Sequence, residues 1–237
     1  MTRRRWIADQ AWDDRAVLLG DHAGHLVRVL RARLGQEFEI STGGRVRLGR
    51  IAAISEERVE FELGADVPQP DVPQVNLLLA VFKFDRMEWA IEKATELGAS
   101  RILPVIARRT DSHLATAAAK RVERWRRIAR EAAQQSRRAA PPQIEAPAKL
   151  KDAVTPLSGL RIVLAENERG AWLRDVAREN LRAAEVWLAI GPEGGWTADE
   201  VKLFADSGWI AASLGSGILR AETAAIAALA VLASEMQ

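Results

Sequence analysis

Cysteine is absent from the 237 residues. That absence excludes a disulfide framework, a thiolate metal site and a cysteine nucleophile, and it is compatible with a reducing cytosol. Histidine is scarce: His22, His25 and His113 are the whole supply. The first two fall together in an expected helical turn without the spacing of a zinc signature, so no metal is expected. Long apolar runs are also missing. The longest, residues 221–233, is interrupted by Glu222 and Thr223 and is too short to span a bilayer. The basic start at Arg3, Arg4 and Arg5 runs into Asp9, Asp13 and Asp14 instead of the apolar core of a secretory leader. A soluble, cytoplasmic protein without a membrane partner is the expectation. Two nucleotide signatures are lacking as well, G-x-G-x-x-G and G-K-[ST], which disfavours a nicotinamide or nucleoside-triphosphate enzyme.

What is present begins with charge. The net value is only +2, yet from Arg101 to Arg138 eleven Lys or Arg residues stand against three acidic ones. Such an excess can concentrate a polyanion and hold its phosphates. A solvated, arginine-rich helix gives the same pattern, so charge alone suggests nucleic acid without establishing it.

The chain is long enough for two apolar cores. Pro68, Pro70 and Pro73 can continue neither a helix nor a central strand, and they divide it. The division gives residues 1–70, a linker at 71–74, and residues 75–237. In the first part, residues 37–41, 46–51 and 59–63 alternate with period two, which predicts a small strand-rich barrel or sheet. Residues 22–31 predict a short helix with Leu26, Val29 and Leu30 toward the core and Arg28, Arg31 and Arg33 outside. In the second part, residues 75–82 are almost continuously apolar, as in a strand buried on both faces. An amphipathic helix follows at 86–97, its stripe formed by Met87, Ala90, Ile91, Ala94 and Leu97, and Gly98 ends it. Strands are predicted at 102–106, 161–165, 186–190 and 210–214, and helices at 120–137 and from near Thr197 and Leu219. This alternation implies an α/β domain with a mainly parallel sheet covered on both faces.

Ligands of such sheets bind at the carboxyl ends of strands. Three loops fall there: residues 166–170, Gly191-Pro192-Glu193-Gly194-Gly195, and Gly215-Ser216-Gly217 ahead of Ile218, Leu219 and Arg220. Their glycines permit positive φ or close approach of backbone to a ligand. Thr197 with Glu200 forms a capping-box pattern, so the second loop also reads as a tight turn entering a helix. The coincidence of three such loops at one sheet edge favours a binding site.

The pair Gly191-Pro-Glu-Gly-Gly195 and Leu214-Gly-Ser-Gly-Ile-Leu-Arg-Ala-Glu-Thr-Ala224 closely resembles the motifs of the SPOUT methyltransferases that modify uridine N3 of 16S ribosomal RNA, at the position conventionally numbered 1498. Met87-Glu-Trp-Ala-Ile-Glu-Lys-Ala-Thr-Glu-Leu-Gly98 is a third match, and His25-Leu-Val-Arg-Val-Leu-Arg31 is similar to the signature of the N-terminal domain. The resemblance covers nearly the full chain. It departs at Arg108, where an acidic residue is usual, and at Gly217, where arginine is frequent.

The resemblance implies a PUA-like β-barrel that binds RNA, followed by an α/β domain with a deep trefoil knot, a homodimer built around the knots, and S-adenosylmethionine bound by the knot loops. Carried onto this chain, the cofactor residues are Leu164, Ala165, Ile190, Gly191, Pro192, Glu193, Gly194, Gly195, Leu214, Gly215, Ser216, Ile218, Leu219 and Arg220. The RNA would be 16S ribosomal RNA, within the small subunit. Methyl transfer to N3 needs a deprotonated uridine, so both partners must be oriented and the uridylate stabilised. Arg220 can hold the uracil oxygens or a phosphate, and Glu222 can orient it or help accept the proton. An Arg220–Glu222 pair that only fixes the last helix is the alternative. Arg109 is the candidate for a further family arginine. Arg28, Arg31, Arg121, Arg124, Arg127 and Arg130 are the candidates for RNA phosphates. Trp125 suits either base stacking or the helix core, Trp89 suggests packing, and Trp196 suits the rim of the site. A related knotted methyltransferase of the ribose 2′-hydroxyl or of another RNA site, or a non-catalytic RNA-binding module, is the competing function.

Overall fold

The computed structural model describes residues 4–69, 72–180 and 183–235. Pro70 and Asp71, inside the proline segment, lie outside the described residues. The chain forms two compact units, Met1–Asp71 with Ala133–Pro141, and Val72–Ala132 with Pro142–Gln237. Residues 133–141 thus join the first unit, an excursion that division at the prolines does not include.

The first unit contains β1 (Arg5–Ile7), β2 (Gln10–Trp12), β3 (Arg15–Leu19), α1 (Gly20–Gly24), a π-helical turn (His25–Val29), β4 (Glu37–Thr42), β5 (Arg45–Ile54) and β6 (Arg58–Asp66). The sheet order is β1-β4-β5-β6-β3-β2, antiparallel except for β1 beside β4. Its two end strands are consecutive in the chain. Between them the Ala8 amide donates to Ser41 on β4 and the Asp9 amide to Val17 on β3, both at 2.9 Å. The chain thus passes directly from one end strand to the other, with consecutive amides bonded to β4 and to β3, a curled arrangement related to a barrel. Period-two alternation places Phe38 and Ile40 of β4 and Val59, Phe61 and Leu63 of β6 inside, with Leu26 closing the core. Gly49 is required on β5, since a Cβ there would lie 2.4 Å from Ile40 Cγ1.

The helix expected at 22–31 begins and ends two residues earlier, at Gly20 and Val29, and changes type midway. The Leu30 amide bonds to the His25 carbonyl, five residues back, and this widened turn swings Val29 outward to 63% exposure. Leu26 stays buried, and Arg28 and Arg31 remain exposed.

The second unit runs β7 (Gln74–Ala80), α2 (Phe84–Glu96), β8 (Arg101–Ile106), α3 (Ser112–Ala117), a 3₁₀ turn (Ala118–Arg121), α4 (Val122–Gln135), β9 (Gln143–Ile144), β10 (Ala148–Lys149), α5 (Leu150–Ala153), β11 (Leu160–Leu164), α6 (Leu173–Glu179), β12 (Glu185–Ile190), α7 (Ala198–Asp206), β13 (Ile210–Ala212) and α8 (Ala221–Glu235). All pairings in its sheet are parallel, in the order β10-β8-β7-β12-β11-β13, and β9 also pairs with β8. Alternate residues of β7 serve opposite faces: Leu77 and Leu79 meet α2, α4, α6 and α8, whereas Leu78 and Ala80 meet α5 and α7. This double burial explains the continuous apolar run.

The chain first builds outward from β7 to β8, then returns to place β12 between β7 and β11. That reversal gathers the loops after β11, β12 and β13 at one sheet edge. The Ala165 amide bonds to the Ala212 carbonyl, the Ser213 amide to Ala171, and the Leu173 amide to Ser213. The segment leaving β13 is therefore held against both ends of the loop 165–173. Trp125 is wholly buried and packs on Phe84, with ring centroids 6.1 Å apart, which removes it from base stacking. Trp89, read as a packing residue, is 46% exposed, because α2 presents Met87, Ala90 and Ile91 to the sheet instead.

Candidate active site

The three loops line one cavity of about 960 Å³, within the second unit. The first loop follows β11. Glu168 folds back within it to accept the amides of Gly170 at 2.6 Å and Ala171 at 3.1 Å. Those backbone donors, Gly170 first, hold its carboxyl below the ordinary range. The second loop, after β12, turns at Gly195, whose φ of +69° lies in the left-handed region that favours glycine. It enters α7 through a complete capping box between Thr197 and Glu200. Glu200 is buried and also accepts the Arg108 amide at 2.6 Å, so one carboxylate ties the loop after β8 to the loop after β12.

Trp196 stands against this loop. Its indole N–H donates to the Leu164 carbonyl at 3.1 Å, and its ring would lie 3.2 Å from a Cβ at Gly191. It also meets Phe204 edge-on at 4.9 Å. Trp196 thereby joins the first loop to the second and lines the cavity, as its position beside Gly195 suggests. In the third loop, Ser213 Oγ donates to the Gly215 carbonyl and accepts its amide, at 3.1 and 3.2 Å. Gly215 has φ +149°.

The cavity brings together Leu164, Ala165, Ile190, Gly191, Pro192, Glu193, Gly194, Gly195, Leu214, Gly215, Ser216, Ile218, Leu219 and Arg220, together with Arg109. Arg109 Nη1 donates to the Gly194 carbonyl at 2.5 Å. Arg108 contributes its backbone there while its side chain is exposed. Arg220 is exposed at the rim, and among the described residues it forms no ion pair. The Arg220–Glu222 pair considered from sequence is not formed. Glu222 is 5% exposed and faces Arg86 instead, with Nε 3.7 Å from its Oε1. Arg86 Nη1 also lies 3.6 Å from Glu193. Sequence reasoning missed Arg86. Its only signal was a place one residue ahead of the matched segment 87–98.

On the first unit, Arg28 and Arg31 are exposed, the latter with φ +51°. On the second, Arg124 grips Glu88 with two hydrogen bonds of 2.6 and 2.8 Å. Arg121 lies over Phe84 at 4.7 Å, Arg127 is loosely paired with Glu131 at 3.9 Å, and Arg130 is exposed. Three of the four arginines in this row therefore already have partners within the protein, Arg124 the firmest.

The model of an RNA methyltransferase domain matches residues 69–233, and that of an RNA methyltransferase PUA domain matches residues 18–64. The chain belongs to this RNA methyltransferase family. A PUA-like β domain thus precedes a SPOUT-type α/β domain. Within the family, the chain is 34% identical to the ribosomal RNA small subunit methyltransferase E of Synechocystis over 87% of its own length and 68% of that protein. It is 32% identical to the protein of that name from Rickettsia conorii, over 90% and 87%. Among solved structures, the ribosomal RNA small subunit methyltransferase E of Neisseria gonorrhoeae bound to S-adenosyl methionine superposes with a TM-score of 0.81 at 27% identity, covering 98% of this chain and 97% of that one.

Proposed function

We propose that this protein transfers a methyl group from S-adenosylmethionine to N3 of a uridine in 16S ribosomal RNA, at the position conventionally numbered 1498. The observation that carries the reading is the single cavity at the carboxyl edge of a parallel sheet, formed by the three loops that hold the family motifs.

The lining fits the cofactor. Leu164, Ile190, Leu214 and Leu219 supply apolar walls for a flat heterocycle, and loop amides and carbonyls supply polar edges. Glu166, Glu168 and Glu193 offer acceptors for a cationic ligand with hydroxyl and ammonium groups. Gly191, Gly194 and Gly195 would bring backbone close to it, and Leu164, Ala165, Pro192, Gly215, Ser216 and Ile218 would complete its cradle. When bound, the sulfonium supplies an electrophilic methyl group. The protein's part is to hold the base in line, keep water out and stabilise charge on the uracil. Arg220, exposed at the rim, would hold the RNA, and Arg109 would brace the second loop through the Gly194 carbonyl.

The competing sites of modification differ in chemistry. A ribose 2′-hydroxyl carries no stabilised anion at neutral pH, whereas a uridylate spreads its charge over two carbonyl oxygens that arginines can meet. The arginine-bearing cavity supports the second. Hydrolysis of the methylated RNA and identification of the nucleoside separates N3-methyluridine from a ribose-methylated product.

We further propose a trefoil knot and a homodimer. The segment after β13, held against both ends of loop 165–173, supports threading through that loop. α8 is apolar around its whole circumference and keeps Ile226 and Val231 partly exposed, which supports a second copy packed on it. No helix among the described residues is long and apolar enough to cross a membrane, which suits a cytoplasmic enzyme of ribosomal RNA.

A further inference from the structure

Four arginines line the cavity, Arg86, Arg109, Arg169 and Arg220, and three of them stand in clearly different states. Arg109 is engaged by the Gly194 carbonyl, and Arg220 stands exposed at the rim. Arg86 is 30% exposed and sits between two carboxylates, Glu193 from the loop after β12 and Glu222 from the first turn of α8. Both separations, 3.6 and 3.7 Å, are ion-pair distances too long for hydrogen bonds. The guanidinium therefore keeps its N–H donors unsatisfied among the described residues. Behind it, Glu222 has a side chain only 6% exposed, and its Oε2 is buried without a hydrogen-bond partner.

An orphaned buried acceptor is costly, and in a folded protein it calls for an explanation. Two carboxylates flank one guanidinium, so the charge of Arg86 is oriented by its neighbours while its hydrogen-bonding capacity stays available to the cavity. This is preorganisation of the kind that stabilises charge developing in a reaction. A planar fork of N–H donors also matches a uracil carbonyl flanked by its ring nitrogens.

Resting on the proposed uridine chemistry, we propose that Arg86 is the catalytic residue that contacts a carbonyl oxygen of the target uracil and stabilises the uridylate, and that Glu222 and Glu193 are positioning residues that aim it. The N3 proton leaves the ring to bulk water before or as the N3–methyl bond forms, while the sulfur–methyl bond of S-adenosylmethionine breaks with its electron pair returning to sulfur, so that S-adenosylhomocysteine departs. Loss of the proton puts negative charge on the uracil oxygens, where the guanidinium donates hydrogen bonds. Arg220 then serves RNA placement instead of charge stabilisation.

The test uses the full-length protein, S-adenosylmethionine and small ribosomal subunits that lack the modification, comparing parent, R86K, R86Q and E222Q. R86Q is expected to lose about 100-fold in kcat, the scale of one removed transition-state donor, while calorimetric cofactor affinity stays at the parent level. Arg86 favours the ionised base, so the parent rate levels off at lower pH and the R86Q rate keeps rising as the uridine ionises unaided. R86K keeps the charge but not the fork and is expected to fall between them, and E222Q to lower kcat more than it raises KM. Parent-like kcat and pH profile in folded R86Q overturn the assignment. If R86Q does not fold, parent-like kcat in R86K does so. A parent enzyme that makes a methylated product other than N3-methyluridine overturns the underlying function reading instead, a result that the nucleoside analysis distinguishes.

Discussion

At the residue scale, two neighbouring glycines of the cavity have different reasons. Gly195 is demanded by its backbone, since φ +69° strains any side chain. Gly194 is crowded by its neighbour, because a Cβ would lie 3.2 Å from Arg109 Cδ and that side chain would have to shift. G194V is therefore expected to displace Arg109 as well as crowd the ligand, and to weaken S-adenosylmethionine binding in a protein that still melts cooperatively. Calorimetric binding paired with thermal unfolding checks this, and parent-like affinity in folded G194V would place the cofactor elsewhere. R220A should lower RNA methylation more than it lowers cofactor affinity, and unchanged turnover in R220A would return this arginine to a structural role. Trp125, surrounded by core and touching Phe84, gives a prediction of opposite kind. W125A should destabilise the protein by about 3–5 kcal/mol, with any effect on RNA accounted for by folding. A W125A variant that unfolds like the parent but binds RNA poorly would revive the stacking role.

At the scale of elements, sequence legibility followed burial and length. β7 declared itself because both of its faces are covered, and α2 because Met87, Ala90, Ile91 and Ala94 recur at helical spacing. β1, β2, β9 and β10 are two or three residues long, too short for a period to register. α6 is a seven-residue helix within a stretch that sequence reading left unassigned, and β13 ends at Ala212 because Ser213 leaves to bond the Ala171 loop. The motif loops were legible as glycine clusters after buried strands. Arg86 was not, since its meaning arises only when α2, the β12 loop and α8 meet in space. The capping box at Thr197 was read directly from its spacing, and T197A should cost about 1 kcal/mol by thermal or denaturant unfolding. A smaller loss in T197A would mean that Glu200, already bonded to the Arg108 amide, holds the junction alone. On α4, Arg127 and Arg130 are freer than Arg124, which Glu88 neutralises. The double variant R127Q/R130Q is expected to weaken RNA binding and flatten its dependence on salt, while R124Q should do less. Equal salt slopes in parent and double variant would remove α4 from the RNA surface.

At the scale of the whole molecule, the two units divide the work that such a reaction requires. A PUA-like domain with exposed Arg28 and Arg31 suits binding of an RNA backbone, and the α/β unit collects the cavity and its charged groups. The chain was divided at the prolines because three rigid residues interrupt every repeating pattern, whereas the place of residues 133–141 in the first unit depends on long-range packing that no local pattern records. The central claim is uridine N3 methylation, and one measurement meets it directly. Small ribosomal subunits lacking the modification are incubated with the purified protein and S-adenosylmethionine carrying an isotopically labelled methyl group, and the 16S RNA is digested to nucleosides for mass spectrometry. The account predicts label in N3-methyluridine at a single site, approaching one per subunit; label confined to a ribose 2′-O-methyl nucleoside, or no label in the RNA of an enzyme that binds the cofactor, would contradict it.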